Sequence, residues 1–244
     1  MLEKPNTLLR AEIEKYIKVY PLISNQIGEE PDGNPVLYLG FAACLYTRFF
    51  EDKTWIKSLV DDTYVNCRKS YGVITRGSHK FNDTQEHDDY IGMAAASFFT
   101  GQNYAAIEIC KHGEMNNWCY DERVYVSAHP IIKKLENWYG RFPGLVPHFK
   151  LCANERLNIF NKFSFFISML FPAGESGIQM DWLRKEVYLR SGQRFWLGDK
   201  ACEWWENRIL KRYKYGMGDV FRVYFDRGAA EPKHFLARWA QGII

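Results

Sequence analysis

Apolar residues recur along this chain every three or four positions, almost from end to end. That spacing commits it to amphipathic helices packed on one another. Leu9, Ile13, Tyr16 and Tyr20 form one stripe, and Val36, Leu39, Gly40, Ala43, Thr47 and Phe50 form a second. Ile56, Leu59, Val60, Thr63 and Cys67 form a third, with Asp52 placed to cap its first turn. A fourth runs from Tyr90 to Phe99. Like the second, it carries small residues (Gly92, Ala94, Ala95, Ala96 and Ser97) that would let another helix come close. Further helices are expected over 130–138, 154–171, 176–190 and 199–213, and a short last one from Glu231-Pro232. Pro130 suits a first turn, where a missing N–H costs nothing. β-like composition is confined to 124–126 and 221–225, each too isolated to build a sheet.

The expected fold is therefore all-α, a single domain over residues 1–244 made of helical hairpins, roughly 35–45 residues to a pair. At 47 % hydrophobic and 25 % charged, the chain has enough apolar surface to offset the entropy of folding. Its aromatic content of 16 % fits either a core of large side chains or an aromatic-lined groove. The longest apolar run, 163–171, is far shorter than the roughly 20 residues needed to cross a bilayer. The opening Met-Leu-Glu-Lys-Pro-Asn has no apolar core of a signal peptide, so no membrane partner and a reducing, cytoplasmic setting are expected. None of the six cysteines forms a close pair, and Cys44, Cys67 and Cys202 sit in helical stripes, where a thiol acts as a small hydrophobe.

One stretch breaks the pattern. Residues 71–92, YGVITRGSHKFNDTQEHDDYIG, bring a long polar connection into the helix richest in small residues, and such connections tend to be functional. Asp83, Glu86, Asp88 and Asp89 would crowd one helix mouth, where repulsion raises at least one carboxyl pKa. A raised and an unraised carboxyl together make the acid and base of glycoside hydrolysis. His87 or His79 would move protons at neutral pH, and Arg76 would hold an anionic group or neutralise the acids. The acids have an equally simple structural use, since unpaired N–H groups in a first helical turn favour negative charge. A second acidic loop, Gly28 to Asn34, also ends at a helix start and brings Asp32 and Asn34 as candidate substrate contacts, as do Trp118 and Tyr120.

The Gly-Asn-Pro-Val-Leu-Tyr opening of the second helix, Arg76, and Gln85-Glu86-His87-Asp88-Asp89-Tyr90-Ile91-Gly92 resemble a group of uncharacterised tailed-phage proteins. Met180-Asp181-Trp182-Leu183 and Glu231-Pro232-Lys233-His234 continue the likeness. That group in turn resembles the (α/α) toroid of six-hairpin glycosidases and polysaccharide lyases. The resemblance implies a small or incomplete α/α toroid, placed in a host cytoplasm or in a virion. The likeness carries no established activity with it, and fold analogy alone assigns none.

Other constellations carry less. Cys110-Lys-His112-Gly113 and Trp118-Cys119-Tyr120 invite zinc and are similar to strings in toroidal lanthionine cyclases. Lys111 splits the pair and the order of the strings is reversed, so no metal or other cofactor is expected. No Gly-x-Ser-x-Gly elbow or phosphate loop occurs. From Asp181 to Ile244, 13 Lys/Arg stand against 8 Asp/Glu, and Lys211-Arg212-Tyr213-Lys214-Tyr215 interleaves bases with aromatics. Such a face tracks a nucleic-acid backbone or is simply a solvated helix surface. Two readings stay open. One is a glycoside hydrolase or lyase centred on residues 76–92. The other is a non-catalytic virion or interaction protein that binds a host protein or nucleic acid; the partners expected across the two are a glycan, a virion protein, or nucleic acid through the basic C-terminal quarter.

Overall fold

In the computed structural model of the chain, the residues described are 35–75, 85, 87–116, 118, 145–170 and 174–213. The expected stripes over 9–20 and 130–138, the β-like stretches at 124–126 and 221–225, and the last helix from Glu231 lie outside them. The described elements are α1 (Pro35–Phe49), α2 (Thr54–Cys67), β1 (Arg68–Ser70), β2 (Val73–Ile74), α3 (His87–Thr100), α4 (Tyr104–Met115), α5 (Val146–Cys152), α6 (Ile159–Leu170), α7 (Gly174–Arg190) and α8 (Trp196–Tyr213).

The stripes produce helices for the reason their spacing suggests. In α2, Ile56, Val60, Thr63, Tyr64 and Cys67 are buried, and the Asp52 carboxylate accepts the Thr54 N–H at 2.9 Å, although Lys53 occupies the cap position itself. The α3 helix sits at the centre, packed against α1, α2, α4, α5 and α7. Of its 14 residues, 12 are buried, which only small side chains on most of its faces allow.

Three of these helices run in the same direction. A methyl built on Gly40 of α1 would lie 2.8 Å from the Gly92 carbonyl oxygen of α3 and 2.8 Å from Leu183 Cδ2 of α7, so the three helices meet at this level. Seven residues further along α3 and α7, Arg190 lies over the Phe99 ring at 4.8 Å and donates to the Cys44 carbonyl of α1 at 3.2 Å. Residue numbers rise together, so α1, α3 and α7 are parallel and begin at one end of the molecule. Around them lie antiparallel partners. Phe165 and Ser168 of α6 meet Tyr188 and Arg184 of α7 in reverse order, and the Tyr188 hydroxyl donates to Asp199 of α8 at 2.8 Å. One continuous buried cluster runs through these elements from Val36 to Trp205.

Two sequence expectations need correction. The helix expected over 154–171 starts only at Ile159, because Asn154 takes a left-handed backbone (φ 59°) that ends α5 and opens a turn. A two-stranded antiparallel hairpin, β1 with β2, turns on Gly72 at φ 68° and was not apparent from composition. Any side chain at Gly72 would also strike the Glu108 backbone of α4. Among the described residues, no helix is long and apolar enough to cross a membrane.

Candidate functional site

The polar segment enters α3 through a fixed doorway. Tyr90, nearly fully buried, accepts the Ile74 N–H at 3.3 Å and donates from the same hydroxyl to the Gln85 side-chain oxygen at 2.8 Å. Ile74 ends the hairpin and Gln85 immediately precedes the α3 region, so one tyrosine pins both feet of the connection between them. Thr75 anchors the first foot further, its N–H and hydroxyl both donating to the Cys67 carbonyl.

Beyond that doorway the acids point inward. Asp88 is 8 % exposed and Asp89 0 %, whereas His87 beside them is exposed. The expectation of carboxylates open to water at the helix mouth is therefore corrected for these two. Helical periodicity explains why. Asp88 and Asp89 lie on the faces that continue through Ile91, Gly92, Met93, Ala95 and Ala96, all buried, whereas His87 shares the partly open face of Phe98. Asp83, Glu86, Arg76, His79, Asp32, Asn34 and Tyr120 lie outside the described residues.

Just below the start of α3 lies a buried polar layer that sequence patterning did not single out. His148 of α5 is fully buried, and its Nε2–H donates to the Ile91 carbonyl at 3.1 Å. Its Nδ1 is buried with no hydrogen-bond partner. Burial pushes the ring pKa down to about 3, the Arg184 charge adds to this, and the Ile91 bond opposes it. The ring is thus neutral and held in one tautomer. On α7, Arg184 donates to Asp181 at 2.7 Å and also bonds the Ser168 hydroxyl of α6. Both members of that ion pair are almost wholly buried. Asp181 precedes Leu183 as Tyr90 precedes Gly92, which puts its carboxylate near the height of the first turn of α3. The available signal was the run Asp181 to Tyr188, all buried although four of its residues are charged. No amphipathic face could be drawn through it, because Lys185 reaches outward to Glu206 and over the Trp205 ring instead.

The zinc reading does not assemble among the described residues. Cys110 and His112 are two apart on α4 and diverge. The Cys110 thiol bonds Glu155 at 3.6 Å, and the His112 Cβ packs toward Gly72 of the hairpin. Cys119 lies outside the described residues. Cys110, Glu114 and Glu155 do bring three ligand atoms within 4.8 Å of one another. The Lys150 ammonium already bonds both carboxylates, however, with Glu155 at 2.9 Å. Burial works against that ammonium's charge, but the two hydrogen-bonded carboxylates outweigh it and hold its pKa above the ordinary value. Trp118, at φ 63°, stacks parallel to Phe149 and lies under the Lys150 ammonium at 5.6 Å, so its indole is already engaged. A shallow surface depression lined by Tyr71, Lys111, Glu114 and Met115 includes none of the expected catalytic residues.

The basic quarter divides sharply. From Asp181 to Glu206 the five basic side chains Arg184, Lys185, Arg190, Arg194 and Lys200 each pair with an acid of the same stretch. Its positive excess therefore falls beyond Glu206. Comparison with protein-family models, curated proteins and solved structures finds no match to this chain. The class defined by the described residues is an all-α protein of packed helical hairpins with a small β-hairpin attached.

Proposed function

We propose that this chain is a non-catalytic recognition protein. It presents the polar segment between Ile74 and Gln85 to a protein partner from a rigid helical scaffold. The observation that carries this reading is the pairing of a pinned doorway at Tyr90 with acids turned into the core behind it. A hydrolase needs two carboxyl groups facing a space that admits both a sugar and a water. Asp88 and Asp89 are instead packed within the helices. Loops held at both feet by a rigid framework are the common way for a scaffold to display recognition residues. The internal pairing of the described basic residues of the last quarter leaves any nucleic-acid contact there to residues beyond Glu206, outside the polar segment.

A second reading has its own support. Parallel α1, α3 and α7 starting at one end resemble the inner helices of an α/α toroid, an arrangement that would gather acidic loops from several helix starts at one mouth. In that reading the protein is an incomplete toroid with a glycoside hydrolase or lyase centre. Wild type, Asp88→Asn and a variant with residues 76–84 replaced by a glycine-serine loop of equal length separate the two. They would be screened on glycan and oligonucleotide arrays and in pull-downs from host extract. Recognition predicts a captured protein lost only with the loop replacement, and no glycan turnover. Glycan cleavage abolished by Asp88→Asn would replace this proposal with the enzymatic one.

A further inference from the structure

The α6 helix is apolar on two opposite sides. Phe165 and Met169 are fully buried, Phe165 against Tyr188 at 4.8 Å and Phe195 at 6.0 Å. On the other side Ile159, Phe160, Phe163 and Ile167 are 72, 80, 56 and 38 % exposed. Positions spaced 0, 1, 4 and 8 along a helix fall within about 100° of its circumference, so these four form one continuous stripe. A helix apolar all round is normally covered on all sides. The stripe is one helix wide and roughly 12 Å long by helical rise. That is far too small for a stable dimer, which takes about 800 Å² per partner, but it matches one short helix.

The same spacing recurs beyond α8. Phe235, Leu236, Trp239 and Ile243 also stand at offsets 0, 1, 4 and 8, and Lys233, His234, Arg238 and Gln241 fall off their arc. Pro232 suits the first turn of a helix carrying that stripe. Since α6 and α8 both run antiparallel to α7, α8 ends at Tyr213 on the side where α6 ends. The residues between 213 and 231, at up to about 3.3 Å each, reach well beyond the length of α6.

We infer that residues 231–244 dock as an amphipathic helix on the exposed Ile159–Ile167 face of α6, within the same chain. Phe235, Leu236, Trp239 and Ile243 then cover Ile159, Phe160, Phe163 and Ile167. This cover is independent of the loop that Tyr90 pins. The test places a photoreactive benzophenone amino acid at Phe163 in the full chain, made in light and in isotopically heavy form, mixed and irradiated. Light-only and heavy-only cross-links from position 163 to a peptide within 231–244 are expected, and Trp239→Asp should abolish them while the chain keeps its cooperative unfolding transition, losing at most the ellipticity of one short helix. Mixed light–heavy products would make a second copy the occupant and overturn the inference. So would cross-links to any other segment, or none at all.

Discussion

Replacing Gly92 by alanine adds one methyl group where α3 crosses α1. That methyl would lie 2.7 Å from the Leu37 backbone nitrogen, and closer still to the Leu37 Cα and the Val36 carbonyl oxygen. All three are backbone atoms, so no side chain can rotate away. Ordinary contact begins near 3.4 Å, so the two helices must part by well over half an ångström along their largest contact. Overpacking of this kind costs about 1–3 kcal/mol, and rigid backbone places Gly92 toward the upper end. Alanine regains about 1 kcal/mol of helix propensity over glycine, leaving a net loss of roughly 2 kcal/mol. For a chain of this size that lowers Tm by about 4–8 °C. Urea denaturation followed by circular dichroism measures it, and an unchanged m-value would confirm that stability alone moved. Gly101→Ala is the control. Nothing lies near its added methyl, and its φ of 76° alone costs about 1 kcal/mol. If Gly92→Ala proves as stable as wild type, the close crossing of α1 and α3 is refuted.

The Asp181–Arg184 pair gives a second prediction. Arg184→Met alone should cost about 3–5 kcal/mol by stranding a buried carboxylate, and the double variant with Asp181→Leu much less, read by equilibrium denaturation. His148 sets a pH dependence. Its ring pKa of about 3 in the folded chain lies below the ordinary 6.5, so the unfolded chain binds the extra proton between those values. Stability from this group is therefore full above pH 6.5 and falls by up to about 1.4 kcal/mol per pH unit toward pH 3. His148→Phe should flatten that part of the profile relative to wild type. Burial raises the thiol pKa of Cys44, Cys110, Cys152 and Cys202, the last to about 12. These four should resist alkylation at pH 8 in the folded chain and react once it is unfolded, as mass spectrometry of digests would record.

The parts of the fold legible in the sequence are those where one face of a helix decides everything. The stripes from Val36, Ile56 and Tyr90 mark α1, α2 and α3 because each alternates core and solvent or carries small residues for close contact. The hairpin at Arg68–Ile74 was hidden because β1 is fully exposed and its turn needs only Gly72. The stretch 154–171 reads as one helix because the break at Asn154 depends on a backbone angle, not on hydrophobic spacing. At the candidate site, the helix start within residues 85–92 was legible but the direction of its acids was not. Asp88 and Asp89 look like solvent-facing first-turn acids until the neighbours of α3 enclose them on every side. His148 was invisible because its partner comes from α3, remote in sequence; Asp181 and Arg184 stand three apart on α7, but their burial and the Ser168 contact of α6 were not legible.

Equilibrium unfolding of Tyr90→Phe tests the central claim most directly, that one buried hydroxyl pins both feet of the polar connection to the scaffold. The substitution keeps the ring and removes the hydroxyl. Leaving the buried Ile74 N–H without its acceptor predicts a loss of about 1–3 kcal/mol. A variant as stable as wild type would show that the hydroxyl holds neither foot, and would contradict the account.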